Sequence, residues 1–256
     1  MAKRSTDSGV MSAMGILRQH YPTVRVIFAC RGDGCDNDPI QERPRRPRRA
    51  LPVKKILDLG CGSGRWPERL GTRPDDAVLI GVDISHDACV RASQKSEEFC
   101  WTCVCARGEQ LPLRDASMDF VISTVAMPYM NIPSALSEIR RVLKPGGSLD
   151  VSLHTLSFTW SDFRGKWTLK PSKLLYRLYV FANGFWFHLT GNVMRCPFSS
   201  RVESWQSQRG MKISLQRAGL ANIHCGYLSN GRFFVQAIHP IPLPVISTAA
   251  SPGSRR

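Results

Sequence analysis

Acidic side chains are scarce in this chain: 20 Asp and Glu stand against 35 Lys and Arg over 256 residues, a formal net charge of +15. The shortage is local. Residues 151–240 carry 11 basic and only 2 acidic groups, residues 1–50 carry 10 and 5, and residues 51–150 carry 12 and 13. A half so depleted in carboxylates draws anionic substrates, anionic lipid or nucleic acid. Runs of 18 or more apolar residues are missing, so no conventional membrane-spanning helix is expected. No apolar stretch follows Lys3-Arg4, which speaks against a secretory leader. The nine cysteines (30, 35, 61, 89, 100, 103, 105, 196 and 225) lack the spacing of a disulfide framework or of paired zinc ligands. They point to a reduced, cytoplasmic setting without a metal site. Cys100, Cys103 and Cys105 are expected to pack as small hydrophobes. An apolar fraction of 43% with 21% charged residues excludes wholesale disorder.

Residues 1–50 read as a basic, Pro/Arg-rich extension that is partly disordered. Val10–His20 has a weak helical face, and the proline-broken arginines of Arg43–Arg49 form a solvated arm. Residues 241–256 read as a disordered tail. Between them, strand and helix patterns alternate. Lys55–Leu59, Ala77–Val82, Phe99–Ala106, Phe120–Thr124 and Ser148–His154 read as strands. Asp87–Glu98, capped by Ser85, and Ser134–Leu143, stopped by Pro145-Gly146-Gly147, read as helices. Ile223–Leu228 and Phe233–Ile238 flank the turn Ser229-Asn230-Gly231 and form an antiparallel hairpin after a last helix near Val202–Ala218. The pattern predicts an α/β, doubly wound, mostly parallel seven-stranded sheet with a C-terminal antiparallel hairpin over residues 51–240. An aromatic and basic insertion at 156–200 interrupts it.

The most informative stretch is Leu57-Asp58-Leu59-Gly60-Cys61-Gly62-Ser63-Gly64. A hydrophobic strand runs into alternate glycines, which admit positive φ and let a ligand approach the backbone. At the carboxyl edge of a parallel sheet this makes a ligand crevice. The spacing is Gly-x-Gly-x-Gly, and a carboxylate at Asp58 suits a cationic ligand better than a pyrophosphate. Asp83, 23 residues beyond Gly60, ends the second strand, where an acid can accept hydrogen bonds from both ribose hydroxyls.

These residues resemble the class I S-adenosylmethionine-dependent methyltransferases, whose first motif is acid-x-Gly-x-Gly-x-Gly. Gly108-Glu109-Gln110-Leu111-Pro112-Leu113 and Ala135–Gly147 are similar to signatures of the type 11 branch. The resemblance covers residues 54–155 and implies a Rossmann-like methyltransferase fold with S-adenosyl-L-methionine as cofactor. It implies that Gly60, Cys61, Gly62 and Gly64 wrap the methionine part and that Asp58 lies near its ammonium. Asp83 would hold the ribose and Ile84 would pack on adenine. Gly108, Glu109 and Leu111 would line the adenine edge. The chain departs from the branch at Arg107, which stands where an aspartate accepts the adenine amino group and which cannot accept a hydrogen bond.

The acceptor has to be read from the strand tips. Ala126-Met127-Pro128-Tyr129 lacks the first residues of the Asn/Asp-Pro-Pro-Tyr signature of amine-methylating enzymes, which disfavours an exocyclic amine; Tyr129 remains a pocket candidate. His154 ends the fifth strand and is the best-placed general base. In Pro171–Ala182, Leu174, Leu178 and Phe181 share one helical face, while Lys173 and Arg177 lie four apart on another. Three readings of this insertion stay open: a helix capping the core, a lid over a small acceptor, and a helix on an anionic membrane surface. The expected activity is methyl transfer to a small, partly hydrophobic acceptor, anionic or lipid-like. An RNA methyltransferase using the Arg43–Arg49 arm and a non-catalytic cofactor-binding regulator are the alternatives.

Overall fold

The computed structural model describes residues 25–27, 54–65, 77–94, 101–157, 160, 171–199, 201–228 and 232–242. The helix read at Val10–His20, the Arg43–Arg49 arm, Cys100, the turn at 229–231 and the tail beyond 242 lie outside these residues. One sheet organises the rest. Its strands are β1 (Arg25–Ile27), β2 (Lys54–Leu59), β3 (Ala77–Asp83), β4 (Trp101–Cys105), β5 (Met118–Thr124), β6 (Leu143–His154), β7 (Ala221–Tyr227) and β8 (Arg232–Ile238). They lie in the order β1-β4-β3-β2-β5-β6-β8-β7. The five from β4 to β6 run parallel, whereas β1, β8 and β7 each pair antiparallel with their neighbours. The seven strands read from the sequence are all present. The eighth, β1, comes from the basic extension, and its three residues are too few for any periodicity to announce.

Among the described residues there are four α-helices: α1 (His86–Gln94), α2 (Ile132–Val142) and α4 (Gln208–Arg217), which pack on the sheet, and α3 (Pro171–Thr190), which packs on α4. Leu57 and Leu59 enter one core cluster with Ile132, Leu136, Met211 and Leu215, while Ile56 enters a second with Cys89, Ala92 and Trp101. Such alternation within an apolar strand marks a sheet covered on both faces. Cys61, Cys89 and Cys103 belong to the second cluster and pack as small apolar groups. The α2 helix starts two residues earlier than its apolar pattern. Asn131 caps it, its side chain accepting from Ser134 N at 3.2 Å, and proline at the first turn costs no backbone bond. Pro145-Gly146-Gly147 does not end the helix with a turn outside the sheet. It forms an irregularity inside β6, where register passes from Met118↔Leu143 to Phe120↔Ser148.

Two polar clamps hold these layers. Asp119 accepts from Lys144 Nζ at 2.7 Å and from Lys55 N at 2.8 Å, tying β5 to β6 and β2. Arg141 forks onto Glu138, with Nε–Oε1 at 2.8 Å and Nη2–Oε2 at 2.7 Å, and donates to the carbonyls of Leu111 and Leu113 and to Asp115. Glu138 in turn accepts from Leu111 N at 2.8 Å. Burial alone would raise the Glu138 carboxyl pKa, but the Arg141 guanidinium and the Leu111 amide outweigh it and hold the group below its ordinary value. A depressed folded pKa contributes stability that is present above the unfolded value and lost as pH falls through the folded one. Arg141→Met should therefore destabilise the fold by about 2 kcal/mol at neutral pH, less than a fully buried pair because the side chains are partly exposed. Its deficit against the parent should shrink below about pH 4 in urea melts; a deficit independent of pH would contradict this account.

Candidate functional site

Pairing of β2 with β5 stops at Asp58↔Ile122. Beyond it the strands part, and Ser123 Oγ donates to Leu59 O at 2.9 Å. Because β2 is flanked by β3 on one side and β5 on the other, the connections leave in opposite directions here, which is where open α/β sheets hold ligands. A cleft of about 320 Å3 occupies the point, lined by Asp58, Gly60, Cys61, Gly62, Ser63 and Arg65 from β2 and its loop, Thr124 and Val125 from β5, and Arg232 from β8.

The loop is held from β3. Val82 O accepts from both Gly60 N (2.7 Å) and Cys61 N (3.2 Å), and Asp83 Oδ2 accepts from Gly62 N at 2.8 Å. Asp83 Oδ1 takes Ser85 N at 2.9 Å, and Ser85 Oγ accepts from Ala88 N at the start of α1. Each Asp83 oxygen thus keeps one acceptor position, the arrangement a vicinal diol requires. Gly60, Gly62 and Gly64 have φ of 77°, 56° and 74°. A Cβ at Gly60 would lie 2.1 Å from Ala126 Cβ and one at Gly64 2.4 Å from the Trp101 ring, whereas one at Gly62 would meet nothing within 4 Å. Two glycines are demanded by packing, and the third leaves backbone bare toward the cleft.

Sequence-predicted residues divide into three groups. Asp58, buried at 5% exposure, lines the cleft with Gly60, Cys61 and Gly62; Asp83 is outside the lining but bonded to Gly62 N, and is followed by Ile84, an aliphatic side chain 64% exposed. Burial and the nearby Asp58 and Asp83 charges outweigh the pull of the Cys103 thiol and raise the Cys61 pKa, so this thiol stays protonated. The adenine-edge trio is placed differently. Leu111 is wholly buried in the main core cluster, and Glu138 and Arg141 bind its backbone. Gly108 packs under Met130, whose Sδ would lie 2.7 Å from an added Cβ. Glu109 accepts from Asn131 N at 2.9 Å and lies 3.6 Å from Arg107, so it fastens its loop to the start of α2. Tyr129 is 63% exposed on the turn after β5 and His154 ends β6; neither lines the 320 Å3 cleft.

Besides Ser63 and Arg65 of the loop itself, three cleft residues from other elements escaped the sequence reading. Thr124 and Val125 form the β5 tip. Val125 adopts φ of 59°, rare for a β-branched side chain, and its N–H reaches Ser152 O at 2.8 Å. No sequence pattern marks such a conformation. Arg232 lies far along the chain but pairs in register with His154.

Residues 57–151 match the family model described as a methyltransferase domain. Over this stretch, less than half of the chain, the sequence is that of a methyltransferase domain. A malonyl-[acyl-carrier protein] O-methyltransferase from Herminiimonas arsenicoxydans is 34% identical over 119 residues, 44% of each chain. A tRNA (carboxymethyluridine(34)-5-O)-methyltransferase from Arabidopsis thaliana is 32% identical over 122 residues, 46% of this chain and 28% of that one. The chain thus spans less than half the length of either curated relative. Among solved structures, a methyltransferase in complex with the Haloferax volcanii Trm112 activator superposes with a TM-score of 0.53 at 18% identity, over 74% of this chain and 85% of that one, a likeness of fold.

The cofactor is S-adenosylmethionine, and the surroundings of the cleft suit it: an open backbone at Gly62 within it and, outside its lining but bonded to Gly62 N, the Asp83 carboxylate followed by the exposed Ile84. Asp83→Ala should weaken binding of S-adenosylhomocysteine by about 1–3 kcal/mol in calorimetry, since both diol acceptors and the Gly62 anchor vanish together. An unchanged affinity would remove Asp83 from the site. Gly64→Ala should instead cost folding stability, as the added methyl must displace the Trp101 ring.

Proposed function

We propose that the chain transfers a methyl group from S-adenosylmethionine to a small, partly hydrophobic acceptor that carries an anionic group. The observation that carries this reading is a second, larger cavity beside the cofactor cleft. It measures about 790 Å3 and is lined by Thr155 and Leu156 just past β6, by Trp205–Arg209 and Lys212 around the start of α4, and by Phe233. Phe233 lines the cavity and its neighbour Arg232 lines the cleft, so both spaces border the start of β8, though they have no lining residue in common. The cavity offers apolar walls at Leu156, Trp205 and Phe233 and cations at Arg209 and Lys212, with no carboxylate among its lining residues. That composition suits an acyl or similarly apolar body ending in a negative group. A relative named for O-methylation of a malonyl group supports an oxygen acceptor.

When bound, the cofactor supplies an electrophilic methyl carbon on a sulfonium, so the protein's tasks are positioning, exclusion of water and removal of a proton. Asp58, Gly60–Gly64, Asp83 and Ile84 hold the cofactor in this reading. In this reading His154, which pairs with the cleft residue Arg232 and precedes Thr155 of the cavity wall, takes the proton of an acceptor hydroxyl. Burial and then the Arg232 charge lower its pKa, so the imidazole is neutral and able to accept a proton at pH 7. Free thiols at Cys61 and Cys103, 3.6 Å apart, favour a reducing, cytoplasmic setting.

Incubation with methyl-labelled cofactor in fractionated extract tests the whole reading: label should enter acidic small molecules or acyl conjugates. Label in RNA would select the nucleic-acid alternative, which the tRNA-methylating relative and the basic second half favour. Label nowhere would leave the regulator. His154→Ala should lower turnover roughly 10²- to 10⁴-fold at unchanged cofactor affinity. Activity should fall as pH drops through the His154 pKa, below 6.5. Arg232→Gln removes a repelling charge and should move that limb to higher pH; a limb that stays or moves downward rejects His154 as the base.

A further inference from the structure

The α3 helix presents to solvent what helices normally bury. Leu174, Leu178, Phe185 and Leu189 are 50, 58, 60 and 45% exposed, and Leu175 and Trp186 are 45 and 44% exposed. At roughly 100° per residue these six occupy one arc of about 120°. The opposite arc is fixed to the protein. Val180, Asn183, Gly184 and Phe187 are buried there, and a Cβ at Gly184 would lie 2.2 Å from the Trp205 ring. The Asn183 amide, wholly buried, donates to Met194 O and Glu203 O, and its carbonyl accepts from Met194 N at 2.6 Å. The helix cannot roll to hide its apolar side without breaking that network.

We infer that α3 seats the protein on an anionic lipid surface, its outward leucines and aromatics entering the headgroup region. Charge selects this occupant. Residues 151–240 carry 11 cationic and 2 acidic side chains, with Lys173 and Arg177 on α3 itself. A second copy meeting α3 through the same face would bring the same excess, and residues 1–50 carry a further net +5, so both are repelled. An anionic bilayer is attracted, and leucine, tryptophan and phenylalanine beside lysine and arginine form the composition of helices lying in an interface. Among the described residues no helix is long and apolar enough to cross a membrane, so α3 lies along the surface. The inference rests on α3 and its charge and not on the catalytic reading.

The test is sedimentation of the full chain with vesicles of phosphatidylcholine alone and with an equal mixture of phosphatidylcholine and phosphatidylglycerol. The protein should pellet with the mixed vesicles and not with the neutral ones, and added salt should release it. Leu178→Glu combined with Phe185→Glu, both at exposed positions, should cut partitioning roughly tenfold or more while the melting temperature and S-adenosylhomocysteine affinity hold. Equal pelleting of that variant, or none by the parent, overturns the inference. A parent dimer in light scattering that this variant dissolves also overturns it, in favour of a second copy. Loss of S-adenosylhomocysteine binding by the parent would strike the catalytic reading alone.

Discussion

The site depends on one constraint: the last two residues of β3 must hold the loop that leaves β2. Val82 takes two of its amides on one carbonyl, and Asp83 takes a third on its carboxylate. A loop so held cannot carry side chains at Gly60 or Gly64, because Ala126 and Trp101 fill the space. Trp101 is fixed in turn, its indole N–H donating to Ala92 O at 3.1 Å. It also leaves no room at Gly81, where a Cβ would meet its ring at 2.5 Å. Strand, loop and aromatic plug therefore form a single object, and the Asp83 carboxylate proposed to hold the ribose also anchors the loop.

Much of this was legible in the amino-acid sequence, for a physical reason. Period-two hydrophobicity and glycine punctuation are local signals, and β2, β3 and the loop between Leu59 and Gly64 are local objects. Asp83 was readable because a strand tip one crossover away lies at a nearly fixed sequence distance. What escaped was long-range or conformational. Arg232 reaches the cleft only because β8 inserts between β6 and β7. Val125 depends on a backbone angle that its residue type disfavours. Glu109 and Leu111 are held by hydrogen bonds with Asn131, Glu138 and Arg141, partners no spacing rule connects. Pro145-Gly146-Gly147 kept its helix-stopping role but was absorbed into β6.

The α3 helix shows where amphipathic pattern falls short. Leu174 and Leu178 were read correctly as sharing a face, but a pattern cannot say which face meets the core. Here the polar Asn183 and the small Gly184 point inward, since the amide crosslinks the segment at 194–203 and the glycine admits Trp205.

The three-residue strand β1 lies antiparallel on β4, from Arg25↔Cys105 to Ile27↔Cys103. Without it, β4 would end the sheet as a row of open amides and carbonyls, a template onto which a neighbouring molecule's strand could add. A segment that looks dispensable for chemistry thus guards against fibre-like stacking, and its rungs close one border of the sheet.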